Sequence, residues 1–262
     1  MNYTIPKNLL STNNAKTVKG EGKGYVTYIM YLSPYTDNSK GINLCSHASE
    51  GCAKACLFGS GAARFDRVQQ GKRNKTEYFL ADRERFLAQL DAEVTKIEKR
   101  HENKDTIPVF RLNGTADIPF EKFKIRDGKN IFELHPNVQF YDYTKNYIRM
   151  RKQQPSNYHL TFSMSETNRE VTMELMNEGH NVAIVFGVKD ESDLPKIFKG
   201  KKVINGDESD LRFLDDKNVI VGLKYKYLTG KGSKGVNQDN LDNNDFIVKP
   251  SEYEAENLKD VA

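Results

Sequence analysis

Short apolar stretches alternate with helical or turn-like segments along this chain, and that alternation limits the folds open to it. Seven stretches read as strands: Tyr25–Leu32, Ile107–Leu112, Asn137–Tyr141, Tyr158–Phe162, Asn181–Phe186, Lys202–Ile204 and Asn218–Leu223. β-Branched and aromatic residues dominate them, as a pleated, half-buried surface favours. Phe79, Leu80, Phe86, Leu87, Leu90, Val94 and Ile97 recur at helical spacing. They predict one long helix, capped by Thr76 and running to about residue 102, whose stripe packs on a sheet. A second helix is expected over Asn168–Asn177, ending at Gly179. Repeated β-then-α units imply an α/β fold with a parallel sheet and crossover helices. Seven such units predict a full or partial (β/α) barrel more than an open doubly wound sheet.

The chain divides on this reading into an irregular arm (1–23), a barrel-like domain (24–228) and a weakly ordered, Gly-, Asn-, Asp- and Lys-rich tail (229–262). A length of 262 residues suits one large domain. The formal charge of +4 allows an acidic ligand or nucleic acid without demanding one. No apolar run has membrane-spanning length and no signal-peptide core opens the sequence, so a cytoplasmic protein with reduced thiols is expected. G-x-G-x-x-G follows none of the strands, and P-loop, HExxH and G-x-S-x-G motifs do not occur.

The only three cysteines, Cys45, Cys52 and Cys56, fall within twelve residues with C-x6-C-x3-C spacing, directly after the first predicted strand. An odd count in one loop is no disulfide framework. Three readings stand side by side. The thiols are small buried residues; or they hold zinc with His47 as fourth ligand; or they ligate a [4Fe–4S] cluster that keeps one iron open. Cys52 and Cys56 are one helical turn apart, which puts both sulfurs on one face, and Lys54 and a helix start would offset thiolate charge.

Polar clusters follow the other predicted strands. They are Asn113-Gly114-Thr115-Ala116-Asp117, Asp142 to Lys145, Ser163 to Asn168 with Ser165 and Glu166, Asp207 to Arg212 with Asp210, and Lys224 with Lys226. In a barrel these positions share one rim, where functional groups collect.

A three-cysteine loop after the first strand of a (β/α) barrel resembles the radical S-adenosylmethionine (SAM) superfamily. The usual spacing there is C-x3-C-x2-C. The resemblance implies a [4Fe–4S] cluster on Cys45, Cys52 and Cys56 and SAM at the open iron. It implies contacts to SAM from Asn113, Gly114, Thr115 and Asp117, in the place of a Gly-Gly-Glu-Pro segment, and ribose contacts from Ser163, Ser165 and Glu166. Gly51-Cys52 to Cys56-Leu57, Asn113 to Ile118, Phe140 to Lys145 and Gly206-Asp207 are also similar to segments of a family of phage-encoded proteins of unassigned function. That likeness implies expression in a bacterial host cytosol.

Three function classes follow. The first is a radical SAM-like enzyme, with Asp142, Lys145, Asp207, Asp210 and Lys224 positioning a small-molecule or nucleotide-like substrate or moving protons. The second is a Lewis-acid iron–sulfur enzyme of the dehydratase kind, with Asp117, Glu166 or Asp207 as base. The third is a metal-stabilised nucleic-acid-binding module that uses the basic run Arg64–Lys75 and Tyr-rich loops.

Overall fold

Each of the seven expected strands overlaps an observed one, in the expected order. The protein is represented by a computed structural model that describes residues 3–12, 22–56, 65–228 and 232–254. Among the described residues the nine strands are β1 (Leu10–Ser11), β2 (Tyr25–Met30), β3 (Ile107–Arg111), β4 (Gln139–Thr144), β5 (Tyr158–Ser163), β6 (Val182–Phe186), β7 (Ile197–Phe198), β8 (Lys201–Asn205) and β9 (Ile220–Lys224). The helices are α1 (Glu50–Lys54), α2 (Asp66–Ala81), α3 (Arg83–His101), α4 (Ile131–Leu134), α5 (Tyr147–Arg151), α6 (Arg169–Asn177) and α7 (Ser233–Asn243). The strand order is β1-β2-β3-β4-β5-β6-β9-β8-β7.

The sheet is mainly parallel but not closed, so of the full or partial barrel expected the full form is absent and the partial form is not confirmed. Its edges are the two-residue strands β1 and β7, each paired antiparallel to its neighbour. A barrel of sequential βα units needs each new strand beside the last. Here β9 lies between β6 and β8 and pairs parallel with both, so the sequential order breaks.

The chain clusters into two compact units, residues 1–46, 65–142 and 153–160 in one and residues 47–64, 143–152 and 161–262 in the other.

In the first unit, α2 and α3 supply an apolar face. Phe79 and Phe86 meet edge to face, with Phe120 and Phe123 alongside. Phe132 stacks on Tyr158 at 4.0 Å, an arrangement worth about 0.5–1.5 kcal/mol beyond burial. The predicted long helix is two helices. Asp82 leaves helical geometry (φ −142°, ψ 75°) and its carboxylate accepts from Arg85 N–H, capping α3. Thr76 lies buried inside α2, and its Oγ1 accepts from Ser33 N–H at 2.8 Å, so it is a packing residue and no cap. The basic residues Arg67, Lys72, Arg73 and Lys75 belong to α2; Gly59–Arg64 lie outside the described residues.

In the second unit, Phe186 packs against Phe198 and Tyr253. Part of the segment expected as a tail is ordered here. It forms α7, buries Ile247 and Val248, and places Val248 in a parallel bridge with Phe186. The tail expectation for residues 229–231 and 255–262 lies outside the described residues.

Candidate functional site

In the first unit the loop beyond β2 ends at Leu44-Cys45, and the segment after β3 holds it there. Asp117 N–H donates to the Leu44 carbonyl at 2.9 Å. The Cys45 thiol lies 3.5 Å from the Thr115 carbonyl, and Thr115 Oγ1 donates to the Leu32 carbonyl. Gly114 permits this approach, since a Cβ there would sit 2.7 Å from Ile29, the Met30 carbonyl and Tyr31. Asn113 holds the turn: its Oδ1 accepts from Ile118 N–H and its Nδ2 donates to the Ile118 carbonyl.

Asp142, at the end of β4, anchors Asn113. Its carboxylate is fully buried. It accepts from Asn113 N–H at 2.8 Å, Asn113 Nδ2 at 3.0 Å and Tyr158 Oη at 3.0 Å. Asp142 within β4 and Tyr158 at the start of β5 are thus tied to the segment after β3. Their observed role is to shape the turn after β3.

In the second unit α1 carries Cys52. Ser49 caps the helix, accepting from Cys52 N–H at 3.2 Å and donating to Glu166 Oε2 at 2.6 Å. Glu166 Oε1 accepts from Gly51 N–H at 2.7 Å. One carboxylate therefore satisfies the start of α1, with the sign that a helix N-terminus favours. From the other side Asn244 Nδ2 donates to the Gly51 carbonyl at 2.9 Å and to Asn240 Oδ1 at 2.9 Å. A Cβ on Gly51 would collide with Asn244 Oδ1 and with Glu166, which explains glycine before this cysteine. Cys52 packs against a core of Ala55, Tyr225, Phe246 and Ile247. Lys54 pairs with Glu50 at 2.9 Å on the surface, an i,i+4 pair in solvent. That pair occupies the cation expected to offset thiolate charge.

The remaining candidates in this unit are placed as follows. Lys145 Nζ donates to Ser163 Oγ at 2.7 Å and lies 5.3 Å from the Phe246 ring centre. Ser165 is buried and its N–H donates to Asn168 Oδ1. Asp207 is buried; its Oδ2 accepts from Lys224 N–H at 2.9 Å, and Lys226 Nζ lies 2.8 Å from its Oδ1. The second contact is an ion pair whose geometry falls short of a well-directed hydrogen bond. Lys224 Nζ is 3.9 Å from Glu191. Asp210 is buried in the turn that leads to the buried Arg212, whose Nε is 3.3 Å from Asp215 Oδ2.

Sequence reasoning missed three asparagines of α7 and its C-cap. Asn237 accepts from Tyr225 Oη, Asn240 donates to it, and Asn244 holds Gly51. Their spacing of three and four residues, one helical face, was the available signal.

None of the three cysteines is in a disulfide, all three are of intermediate burial, and His47 is exposed. Among the described residues no group of three or more His, Cys, Asp or Glu side chains is placed to hold a metal ion. None of the helices described is long and apolar enough to cross a membrane.

An open, mainly parallel α/β sheet with polar strand ends defines the class. Within it, the chain belongs to the gene product 88 family, a phage-type family whose model matches residues 8–239. No curated protein and no solved structure matches the chain.

Proposed function

We propose that this chain is an iron–sulfur protein whose ligands are Cys45, Cys52 and Cys56, with chemistry of the radical SAM kind. The observation that carries the reading is in the sequence: the only three cysteines fall in one short segment, in an odd number. None of the three is in a disulfide. As placed, the side chains do not form a ligand set, so no reaction step is derived through a cluster. Metal ligation is coupled to the ordering of its ligands.

Of the three carboxylates named for the dehydratase-like alternative, Glu166 and Asp207 are engaged elsewhere. That chemistry needs a free base near the metal. Both Glu166 oxygens are committed to Ser49 and Gly51, and both Asp207 oxygens to Lys224 N–H and Lys226. Glu166 instead fixes the backbone on which Cys52 stands, and the Asn113–Asp117 turn fixes the backbone at Cys45.

The test is anaerobic purification with iron and sulfide assays. About four irons and four sulfides per chain are expected for this cluster type. One tightly bound zinc without sulfide, or no metal after reconstitution, overturns the proposal.

A further inference from the structure

In the first unit β1, β2 and α3 enclose a groove of about 220 Å³. Asn8, Leu10 and Ser11 line one side, Tyr28 the floor, and Glu93, Lys96 and Arg100 of α3 the other. Lys96 and Arg100 are one helical turn apart, so both cations reach the same stretch of groove. Both are exposed, and neither has a hydrogen bond, ion pair or ring contact among the described residues.

The natural neutraliser is Glu93, one turn before Lys96 on the same helix. It is committed elsewhere. Its two oxygens accept from Leu9 N–H, at 2.8 and 2.9 Å, and from Leu10 N–H at 3.1 Å. Gln89 Nε2 adds a further donor at 3.0 Å. Glu93 thus serves the backbone entering β1. Behind it Lys75 donates to the Leu9 carbonyl, adding a further cation beside this carboxylate. The macrodipole explains a cation in the last turn of α3, where Arg100 stands. It does not explain Lys96, which lies a turn earlier and still faces the groove.

We infer that this groove binds a phosphate group, held by Lys96 and Arg100 with the Asn8 amide as a third donor. A guanidinium and an ammonium on one face match the several acceptor oxygens of a phosphate. The volume takes one phosphoryl group and part of a sugar, whether from a free nucleotide or from a nucleic-acid backbone. This inference does not depend on the cysteines.

Two probes separate the sources: inorganic phosphate, followed by calorimetry, and a fluorescein-labelled single-stranded oligonucleotide, followed by anisotropy between 50 and 200 mM salt. The variants are K96E/R100E, and R85E/K99E as a charge-matched control on the same helix outside the groove. With a nucleic-acid backbone as ligand, K96E/R100E weakens oligonucleotide binding about tenfold or more, and the slope of log K against log salt falls by about 1 to 2. R85E/K99E changes binding far less. With a free phosphate ligand, calorimetry shows phosphate binding that K96E/R100E abolishes, while the oligonucleotide does not bind. Binding of neither probe, or binding that K96E/R100E leaves unchanged, overturns the inference. Circular dichroism of both variants confirms that the exposed substitutions leave the fold intact.

Discussion

Asp142 and Asp207 are buried carboxylates at the ends of parallel strands, one in each unit, and they are satisfied differently. Asp142 accepts from a backbone N–H, an amide and a phenol, all three uncharged donors. Asp207 accepts a backbone N–H and faces an ammonium. The donors of Asp142 are deeply buried, whereas Lys226 is 32% exposed. A buried network fails as a whole when one member is removed, because orphaned donors find no water. A pair with one partner at the surface fails softly, because water replaces the lost contact. The polar strand ends of this fold are therefore not equivalent. Asp142 is a keystone of the turn that holds Cys45, and Asp207 is the more replaceable of the two.

The largest expected effect comes from Asp142→Ala. It orphans Asn113 N–H, Asn113 Nδ2 and the Tyr158 hydroxyl. A loss of about 3–5 kcal/mol follows, measurable by urea unfolding. A loss under 1 kcal/mol would break the comparison by showing that water reaches the turn. Gly51→Ala ranks next, at about 1–3 kcal/mol, because its methyl group meets Asn244 and Glu166. A double-mutant cycle with Asn244→Ala should recover part of that cost; strict additivity would mean the clash is relieved elsewhere.

Asp207→Asn should cost about 1–2 kcal/mol, less than Asp142→Ala, since the amide oxygen still accepts from Lys224 N–H. Lys226→Met should cost less again. Equal losses at Asp142 and Asp207 would remove the distinction between them.

The smallest effect is read by pH at Asp91, a third carboxylate with charged partners. Burial pushes this carboxyl upward, but hydrogen bonds from Arg126 and His135 outweigh it and hold it below its ordinary value of 3.8. The unfolded chain therefore takes up this proton first as pH falls. The stabilisation is present above pH 3.8 and is lost as pH drops through the lower folded value. Arg126→Gln should flatten the acid limb of a stability–pH curve. An unchanged limb would show that Arg126 contributes nothing there.

The strands were legible because runs such as Tyr25–Met30 and Val182–Phe186 carry their own β signal. The place of β9 between β6 and β8 was not, because strand order is not a local property. The break at Asp82 was hidden by apolar periodicity that continues from Phe79 into Phe86, although an Asp cap was there to be read. At the site, the positions of Asn113, Asp142 and Glu166 were legible and their tasks were not. Asp142 meets partners 29 and 16 residues away, and Glu166 meets Ser49 from 117 residues away. Pairings of that separation leave no trace in local pattern. The same distance explains why α7 read as tail: its asparagines make sense only against Tyr225 and Gly51.

The proposed iron–sulfur role requires the three thiols to act as one ligand set, which their described placement does not form. Iron and sulfide content, measured side by side for the wild type and for Cys45→Ala, Cys52→Ala and Cys56→Ala after identical anaerobic reconstitution, tests it most directly. The account predicts about four irons and four sulfides in the wild type, and a severe loss in all three variants. Full iron content in any one variant, or none in the wild type, would contradict it.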